Sequence, residues 1–319
     1  MLPKFLEKKY KDTLFVRHDD DGSIFYFSLS DFDGLKRREF SVKNQKDQTL
    51  KGYFYYYDGY RSDSVVVFDH GMGVGHRAYI REIETLCKKG YLVYSYDHTG
   101  CTESEGEHIR GFSGSLADLD AVISALKEHE DVKGKRLSVV GHSWGGFSTL
   151  NIGALHPDLH AQVAISGFSS VKEIQRQVMP FIFRPFLKGL YAIEDSENGK
   201  YAAMDAVESL KRTRARVLVI HSIDDKTVSA ARNFYMMKAL LTEKKNIEFL
   251  PVYKKDHNPN YTEDAVAYKN EYSRRLKQRL KEKSLSTPEE KKAFNDEYDF
   301  YRMTAQDEAV WEHIFRVLD

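Results

Sequence analysis

Hydrophobic and polar positions along the chain form a repeating series of short apolar runs separated by helical patterns. The apolar runs contain mostly valine, isoleucine, leucine and tyrosine, and they lie at residues 65–68, 91–96, 137–140, 161–165 and 217–220. Runs with so little polar alternation are typical of parallel strands that are covered on both faces. Strands that alternate with helices predict an α/β fold with a mostly parallel central sheet and helices on both faces.

Capping residues locate two helix starts. Ser115 is followed three positions later by Asp118, which predicts that a helix begins there and carries the next apolar residues on one face. Thr287 is followed by Pro288 and Glu290, a second capping pattern. The first of these helices would carry Leu119, Val122, Ile123 and Leu126 at helical spacing on one face.

Three regions lie outside the alternating series. Residues 23–57 have the pattern of antiparallel strands at the N-terminal side of the sheet. Residues 168–213 are rich in apolar and aromatic residues and predict a helical, lid-like insertion. We therefore predict an α/β domain at 1–286, which includes this insertion, and a helical C-terminal extension at 287–319.

Composition and charge limit the classes of partner. The chain has 48 Lys and Arg against 48 Asp and Glu, so no net charge attracts nucleic acid or an anionic membrane. No apolar run approaches the roughly 20 residues that span a bilayer, and the first residues lack the apolar core of a secretory signal. The two cysteines do not make a disulfide scaffold. A cytoplasmic location is therefore expected, without nucleic-acid or membrane partners.

The segment "RLSVVGHSWGGFSTL", residues 136–150, contains the first candidate for chemistry. Ser143 lies where a predicted strand ends and a helix begins. A sharp strand-to-helix turn exposes the serine Oγ and requires small neighbours, which Gly141, Gly145 and Gly146 supply. The N-terminus of the following helix is electropositive and favours a developing oxyanion. Ser143 is therefore predicted to be a nucleophile.

At these residues the chain resembles the α/β-hydrolase superfamily. Gly141-His142-Ser143-Trp144-Gly145 matches the nucleophile elbow, His70-Gly71-Met72-Gly73 resembles the oxyanion loop, and Asp97-His98-Thr99-Gly100 is similar to the loop after the next strand. The resemblance covers roughly residues 50–260. It implies a hydrolytic triad whose members follow in the order serine, acid and histidine.

That order restricts the choice of histidine. After the predicted strand at 217–220 only His257 and His313 remain. His257 lies in the loop sequence "VYKKDHNPN", where it could reach the nucleophile. His313 lies on a face of the final amphipathic helix, a position typical of a structural residue. We predict that His257 is the triad base.

The triad acid is assigned from the family pattern His-Gly-x-x-Asp-x-x-Val. Counting from His221 to Val228 places Asp225 at the acid. The adjacent Asp224 remains an alternative, as a loop carboxylate that hydrogen-bonds nearby amides. Asp256 is a poorer candidate because it directly precedes the histidine, and neighbouring side chains of an extended loop diverge.

The predicted roles follow from the chemistry of acyl transfer. Ser143 would attack the substrate carbonyl while His257 takes its proton, and Asp225 would hold the imidazole in the correct tautomer. The backbone N–H groups of Met72 and Trp144 would bind the tetrahedral oxyanion. The predicted activity is hydrolysis of a small-molecule carboxylic ester through an acyl-enzyme.

Aromatic and apolar residues of the insertion are candidates for the acyl-binding wall. They are Phe181, Phe183, Phe186, Leu187 and Tyr191. Ordinary core packing explains such a composition equally well. No cofactor or metal is expected, since the histidines lack HExxH spacing and the glycine-rich run at 71–75 lacks a phosphate-loop pattern.

Two alternatives stay open at this point. The same triad cleaves peptide and thioester bonds, so a serine peptidase or a thioesterase fits the same residues. A non-catalytic binding protein could also retain the fold, with the C-terminal extension as a surface for a partner or for a second copy of the chain.

Overall fold

A computed structural model describes residues 2–319. The strands are β1 Lys36–Glu39, β2 Val42–Lys43, β3 Thr49–Leu50, β4 Gly52–Tyr56, β5 Ser64–Asp69, β6 Leu92–Tyr96, β7 Arg136–His142, β8 Ala161–Ile165, β9 Arg216–Ser222 and β10 Ile247–Val252. The helices are α1 Lys4–Leu14, α2 Ile80–Lys88, α3 Gly114–Glu128, α4 Trp144–Ile152, α5 Val171–Val178, α6 Leu187–Asn198, α7 Ala206–Arg212, α8 Met236–Leu240, α9 Glu263–Lys281, α10 Pro288–Asn295, α11 Phe300–Met303 and α12 Glu308–Leu318.

The central sheet contains eight strands in the order β1-β4-β6-β5-β7-β8-β9-β10. β1, β4 and β6 pair antiparallel, whereas the strands from β6 to β10 pair parallel along this order. β2 and β3 form a separate small antiparallel pair. The predicted fold class is confirmed, including the antiparallel strands near the N-terminus.

The parallel strands are apolar on both faces because helices cover both faces. In β5, Val65 and Val67 pack in one apolar cluster with residues of α1, α3 and α4. Val66 and Phe68 point to the opposite side and pack with residues of α2 and α12. All four side chains are at most 1% exposed. The continuous apolar runs in the sequence follow directly from this double burial.

Helix α3 begins differently from the prediction. Its first residue is Gly114, and Ser113 occupies the N-cap position without a side-chain cap. Ser115 lies inside the helix, and the Asp118 carboxylate accepts hydrogen bonds from the Thr99 backbone N–H and hydroxyl, both at 2.8 Å. The predicted capping pair is therefore wrong, because Asp118 binds the loop after β6 instead.

The predicted insertion at 168–213 contains α5, a 3-10 segment at Phe181–Phe186, α6 and α7. It packs against α1, a helix that the sequence interpretation did not identify. The phenol of Tyr10 in α1 donates to Glu194 in α6 at 2.8 Å and accepts from the Gln175 amide in α5 at 2.7 Å. A buried hydrogen-bond chain thus joins α1 to two helices of the insertion.

The Glu194 carboxylate also joins the insertion to the core. It accepts hydrogen bonds from the backbone N–H of Phe112 at 2.9 Å and from the Ser113 hydroxyl at 3.1 Å. Burial raises the pKa of Glu194, and these donors oppose that rise. The segment before α3 is thereby fixed, with the Phe112 side chain directed towards the region described below as the candidate site.

The C-terminal helices do not form a single unit. α10 has the predicted capping box, in which Thr287 and Glu290 bind each other's backbone N–H. α10 and α11 pack with α9 around Tyr272. α12, in contrast, packs on β8 and β9, and its residues Trp311 and Ile314 belong to one of the two clusters that cover the central sheet. The last helix is therefore part of the core of the sheet rather than of a separate extension.

Shortening Ile314 to alanine tests this packing. Ile314 is fully buried, so Ile314→Ala should lower the free energy of unfolding by about 2–5 kcal/mol, measured by denaturant titration. Glu312 is exposed on the same helix, and Glu312→Ala should change the free energy of unfolding by less than about 0.5 kcal/mol. Equal, small effects of both substitutions would show that α12 is only loosely attached.

Candidate active site

The backbone of Ser143 is strained at the turn between β7 and α4. Its φ is 56° and its ψ is −107°, a conformation that non-glycine residues rarely adopt. The Ser143 N–H donates to the Ile165 carbonyl of β8 at 2.8 Å, which ties the turn to the neighbouring strand. This is the sharp strand-to-helix turn that the sequence predicts, and it lifts the side chain above the carboxyl edge of the sheet.

Close backbone contacts explain the glycines around Ser143. A Cβ atom at Gly145 would lie 2.1 Å from the Asp69 carbonyl oxygen. One at Gly141 would lie 2.3 Å from the Gly145 carbonyl oxygen, and one at Gly146 would lie 2.8 Å from the Gly167 Cα. Any side chain at these positions would push the turn away from the strands.

The structure brings together the three side chains predicted from the sequence. His257 Nδ1 lies 2.8 Å from Asp225 Oδ2, and His257 Nε2 lies 2.8 Å from Ser143 Oγ. Because an ionised carboxylate only accepts, Nδ1 carries the proton and Nε2 is the acceptor for the serine hydroxyl. The arrangement is that of a general base poised to take the Ser143 proton.

Asp225, rather than Asp224, reaches the imidazole. Its second oxygen accepts from the Thr227 and Val228 backbone N–H groups, both at 2.8 Å. Burial would raise the pKa of Asp225, but hydrogen bonds from His221 and His257 outweigh it and hold that pKa well below its usual range.

The other two carboxylates face different partners. Asp224 accepts from the Ser222 hydroxyl at 2.5 Å. Asp256 accepts from the Lys226 backbone N–H at 3.1 Å and from the Asn270 amide at 3.2 Å. His313, the alternative base, lies in α12 and contacts Glu248 at 3.1 Å. Each of these residues therefore has another hydrogen-bond partner, and none of them hydrogen-bonds the His257 imidazole.

His142 supports the backbone of His257. Its Nε2 lies 2.7 Å from the His257 carbonyl oxygen and its Nδ1 lies 2.8 Å from the Tyr79 hydroxyl. Since a carbonyl only accepts, Nε2–H must donate and the Tyr79 O–H must donate to Nδ1. Burial and the neighbouring His257 charge lower the pKa of His142 to about 3, which keeps the ring neutral. His142 thus has a positioning contact beyond packing at the turn.

Met72 and Trp144 both line the cavity that contains Ser143. Trp144 is the first residue of α4, so its backbone N–H has no acceptor within the helix. Met72 follows β5 in the turn beside the serine. The indole of Trp144 is buried and donates to the Phe112 carbonyl at 2.7 Å. The two backbone positions predicted for oxyanion binding therefore border one space.

The cavity at Ser143 has a volume of about 430 Å³ and two chemically different sides. The apolar side is formed mainly by Phe112, Phe168, Ile174 and Val178. The polar side is formed by Tyr79, His142, His257, Asn258 and Lys269. The sequence interpretation missed most of these residues, because they come from segments far apart in the chain and have no common motif.

The five insertion residues predicted to line the site do not line this cavity. Phe181 is 78% exposed at the surface of the insertion. Phe183 borders a second, more apolar cavity of about 540 Å³, between α1 and the residues that follow α5. Phe186 and Tyr191 are partly buried and pack against the core cluster that contains residues of α1 and α3, and Leu187 is partly buried at the start of α6. The apolar wall comes instead from α5 and from the loops before α3 and after β8.

A buried charge cluster lies beneath the site. His98 Nε2 is 2.9 Å from Asp69 Oδ1, and His98 Nδ1 is 3.4 Å from Asp118 Oδ2. Burial opposes the charged ring, but the two carboxylates outweigh it and raise the pKa of His98 to about 9. His98 Nε2 and its neighbours join the ends of β5 and β6 to α3. Among residues 2–319, no group of three or more His, Cys, Asp or Glu has an arrangement that could hold a metal ion.

Comparisons with known proteins agree with this architecture. The sequence model of a family described as serine aminopeptidase, S33, matches residues 60–196. An esterase of Pyrococcus furiosus superimposes with a TM-score of 0.60 at 19% identity, covering 84% of this chain and 98% of that chain. The chain therefore has the α/β-hydrolase fold. The predicted resemblance is confirmed, and the central sheet and the Ser143 turn are those of an α/β-hydrolase.

Other proteins that the chain is similar to differ from this esterase in chemistry. An acylaminoacyl peptidase of Pyrococcus horikoshii superimposes with a TM-score of 0.52 at 18% identity, over 72% of this chain and 38% of that chain. A 2-hydroxy-6-oxononadienedioate/2-hydroxy-6-oxononatrienedioate hydrolase of a Pseudomonas species is 27% identical over 153 residues. That match covers 47% of this chain and about half (52%) of the curated relative. At these identities the structural likeness concerns the fold.

No helix within residues 2–319 is both long enough and apolar enough to cross a lipid bilayer.

The charge cluster of this α/β-hydrolase predicts a protonated buried histidine. With a pKa of about 9, His98 should be an imidazolium at pH about 7.5, and its stabilising effect should be lost as the pH rises from about 6.5 through about 9. The protonation state of the ring can be measured by imidazole ¹⁵N NMR, with the His98 signals assigned by their loss in His98→Asn. His142 is the internal control and should be neutral at pH about 6. A neutral His98 at pH about 7.5 would contradict the cluster's charge assignment.

Proposed function

We propose that this α/β-hydrolase is a serine hydrolase that cleaves a carboxylic ester through an acyl-enzyme on Ser143. The observation that carries the proposal is the hydrogen-bond chain from Ser143 Oγ to His257 and on to Asp225, with 2.8 Å between each pair of atoms. A serine hydroxyl is a weak nucleophile at its ordinary pKa, and an oriented base of this kind is what activates it.

The proposed reaction has two halves. Ser143 Oγ bonds to the ester carbonyl carbon as its proton passes to His257 Nε2, and the tetrahedral intermediate then expels the alcohol, which takes that proton. A water molecule next loses a proton to His257 Nε2 and attacks the acyl-enzyme, and Ser143 leaves with the proton. Asp225 remains ionised throughout and stabilises the imidazolium in each half.

Oxyanion stabilisation is assigned to the backbone N–H groups of Met72 and Trp144. Preorganised donors at this position are worth about 3 kcal/mol each in the barrier of related reactions. The Trp144 N–H also lies at the N-terminus of α4, where the helix dipole favours negative charge. Neutral His142 adds no positive charge that would oppose protonation of His257.

The apolar side of the cavity supports an apolar acyl group. Phe112 and Val178 border both the Ser143 cavity and the second cavity beside α1. An acyl chain that starts at Ser143 could therefore continue past these two side chains towards Phe183. Each buried methylene would contribute about 0.8 kcal/mol. We infer that esters of medium-length acyl chains are better substrates than acetates.

The lining of the cavity disfavours the aminopeptidase chemistry that the matching family's description names. An aminopeptidase must hold the α-ammonium of its substrate, for which a carboxylate is the usual partner. Among the described residues, those that line the Ser143 cavity include Lys269 and no aspartate or glutamate. An ester, a thioester or an acylated amide lacks that ammonium and fits the cavity better than a free N-terminus.

Labelling with a fluorophosphonate probe tests the activated serine. The folded wild-type chain should be labelled and should hydrolyse p-nitrophenyl butyrate, whereas Ser143→Ala should lose both, with kcat reduced by at least about 10³-fold. Intact turnover by Ser143→Ala would contradict the proposal. A folded wild type that is neither labelled nor active would favour the non-catalytic binding protein.

Paired aspartate variants provide the matched control in the same assay. Asp225→Asn keeps an oxygen for the Thr227 and Val228 N–H groups but presents an amide to His257, so kcat should fall by about 10³–10⁴-fold. Asp224→Asn should leave kcat within a few-fold of wild type, since its carboxylate contacts Ser222. The reverse order of the two effects would reassign the acid.

A larger side chain at the border that the two cavities share should shorten the preferred acyl chain. In wild type, kcat/KM should rise up to about fourfold for each methylene between p-nitrophenyl butyrate and octanoate. Val178→Trp should abolish that rise, because the larger side chain would occupy the space where the acyl chain passes from one cavity to the other. Phe181→Ala, at an exposed position of the same insertion, is the control and should keep the wild-type profile. A Val178→Trp variant with an unchanged profile would place the acyl chain elsewhere.

A further inference from the structure

One side chain in the Ser143 cavity carries a charge that the proposed reaction does not use. Lys269 lies in α9, and its side chain lines the same cavity as the apolar residues Phe168 and Ile174. It reaches the site next to the triad loop, because its Nζ donates to the Asn258 side-chain oxygen at 2.9 Å and Asn258 directly follows His257. The ammonium is therefore part of the substrate space.

The ammonium has unused hydrogen-bonding capacity. A lysine Nζ carries three N–H donors, and within residues 2–319 the Lys269 Nζ donates only to Asn258 and has no carboxylate oxygen within 4.0 Å. The Tyr261 ring faces it, with its centroid 5.0 Å from Nζ. Two donors therefore remain for a ligand in the cavity.

Glu82, the acidic residue whose charge acts on Lys269, does not neutralise the ammonium. Burial lowers the pKa of Lys269, and the charge of Glu82 only partly opposes that shift. Glu82 itself is 2% exposed, accepts from the Asn260 amide at 3.2 Å, and has a raised pKa because of its burial. A lysine held among partly apolar groups without a close counterion is unfavourable until an anion binds.

We propose that Lys269 binds a carboxylate of the substrate, so that the natural ester combines an apolar segment with a carboxylate group. The inference rests on the proposed ester hydrolysis and adds the class of substrate. The apolar segment would lie against Phe112 and Val178, and the carboxylate would receive hydrogen bonds from Lys269 Nζ. Asn258 would keep the ammonium directed into the cavity.

The bound carboxylate would also assist the triad. The positive charge of Lys269 is one of the influences that lower the pKa of His142, so its field reaches the histidine pair beside Ser143. An uncompensated ammonium there makes the His257 imidazolium harder to form. A substrate carboxylate cancels that field, so the correct substrate should be favoured in kcat as well as in KM.

Two matched pairs of esters test the proposal. In the first pair the carboxylate is on the leaving group, 4-butyryloxybenzoate against 4-butyryloxybenzamide. In the second it is on the acyl group, phenyl hydrogen glutarate against phenyl glutaramate. In one of the two pairs, the wild-type kcat/KM for the carboxylate ester should exceed that for the amide ester by about 10–100-fold. The pair that shows this difference identifies whether the carboxylate belongs to the leaving group or to the acyl group.

Substitutions at one position assign the effect to the ammonium. Lys269→Met should reduce the carboxylate-to-amide ratio by about 10–100-fold, and Lys269→Arg, which keeps the charge, should retain most of it. Lys277 is exposed on the same helix, and Lys277→Met should keep the wild-type ratio. Raised salt should reduce the ratio in wild type and not in Lys269→Met.

The outcomes separate this inference from the proposed function. Equal kcat/KM for both members of both pairs in wild type, with turnover abolished in Ser143→Ala, would overturn the role of Lys269 and leave the ester hydrolase intact. A carboxylate preference that persists in Lys269→Met would overturn it as well. Should Lys269→Met fail to fold, inhibition of wild type by benzoate but not by benzamide would support the role, and equal inhibition would overturn it.

Discussion

The backbone of Ser143 is the constraint on which the candidate site depends. A non-glycine residue at φ 56° stores about 1–3 kcal/mol of strain, which the surrounding structure must hold. Two strands supply that support: Gly145 packs against the carbonyl of Asp69 at the end of β5, Gly146 packs against Gly167 just after β8, and the Ser143 N–H donates to Ile165 at the end of β8. With the nucleophile fixed by the sheet, the acid and the base can be carried by loops after β9 and β10.

Much of the fold and the centre of the site could be read from the sequence because their physical causes are local. Double burial makes the parallel strands continuously apolar, and close backbone approach forces glycine at positions 141, 145 and 146. The order of motifs then selected Asp225 and His257, which the structure places in contact with each other and with Ser143. The adjacent carboxylates of Asp224 and Asp225 have different partners, Ser222 and His257. The spacing to Val228 in the family pattern was the sequence signal that distinguished them.

The remaining features depend on contacts between distant segments, which no local pattern records. Lys269 lies in a highly charged helix whose sequence is typical of a solvated surface, yet its side chain reaches the cavity. Phe181 and its neighbours are apolar enough to suggest a binding wall, but Ile174 and Val178 of α5 line the cavity and the five predicted residues do not. The pattern of α12 predicted an amphipathic helix. It did not tell that Ile314 packs on β8 and β9, because that depends on which part of the sheet the other helices leave for α12 to cover.

The bond between Tyr10 and Glu194 has a consequence for the order in which the molecule can assemble. The two residues are 184 positions apart in the sequence, and the same carboxylate holds the Phe112 backbone. During synthesis α1 emerges long before α6. The Tyr10–Glu194 hydrogen bond therefore cannot form, and Leu6 and Leu14 lack part of their packing, until most of the sheet has been made. Contacts this distant form slowly. Because the Glu194 carboxylate holds the Phe112 backbone, the apolar wall beside Ser143 cannot be complete before α6 has been made, by which time strands β1 to β8 have already been synthesised.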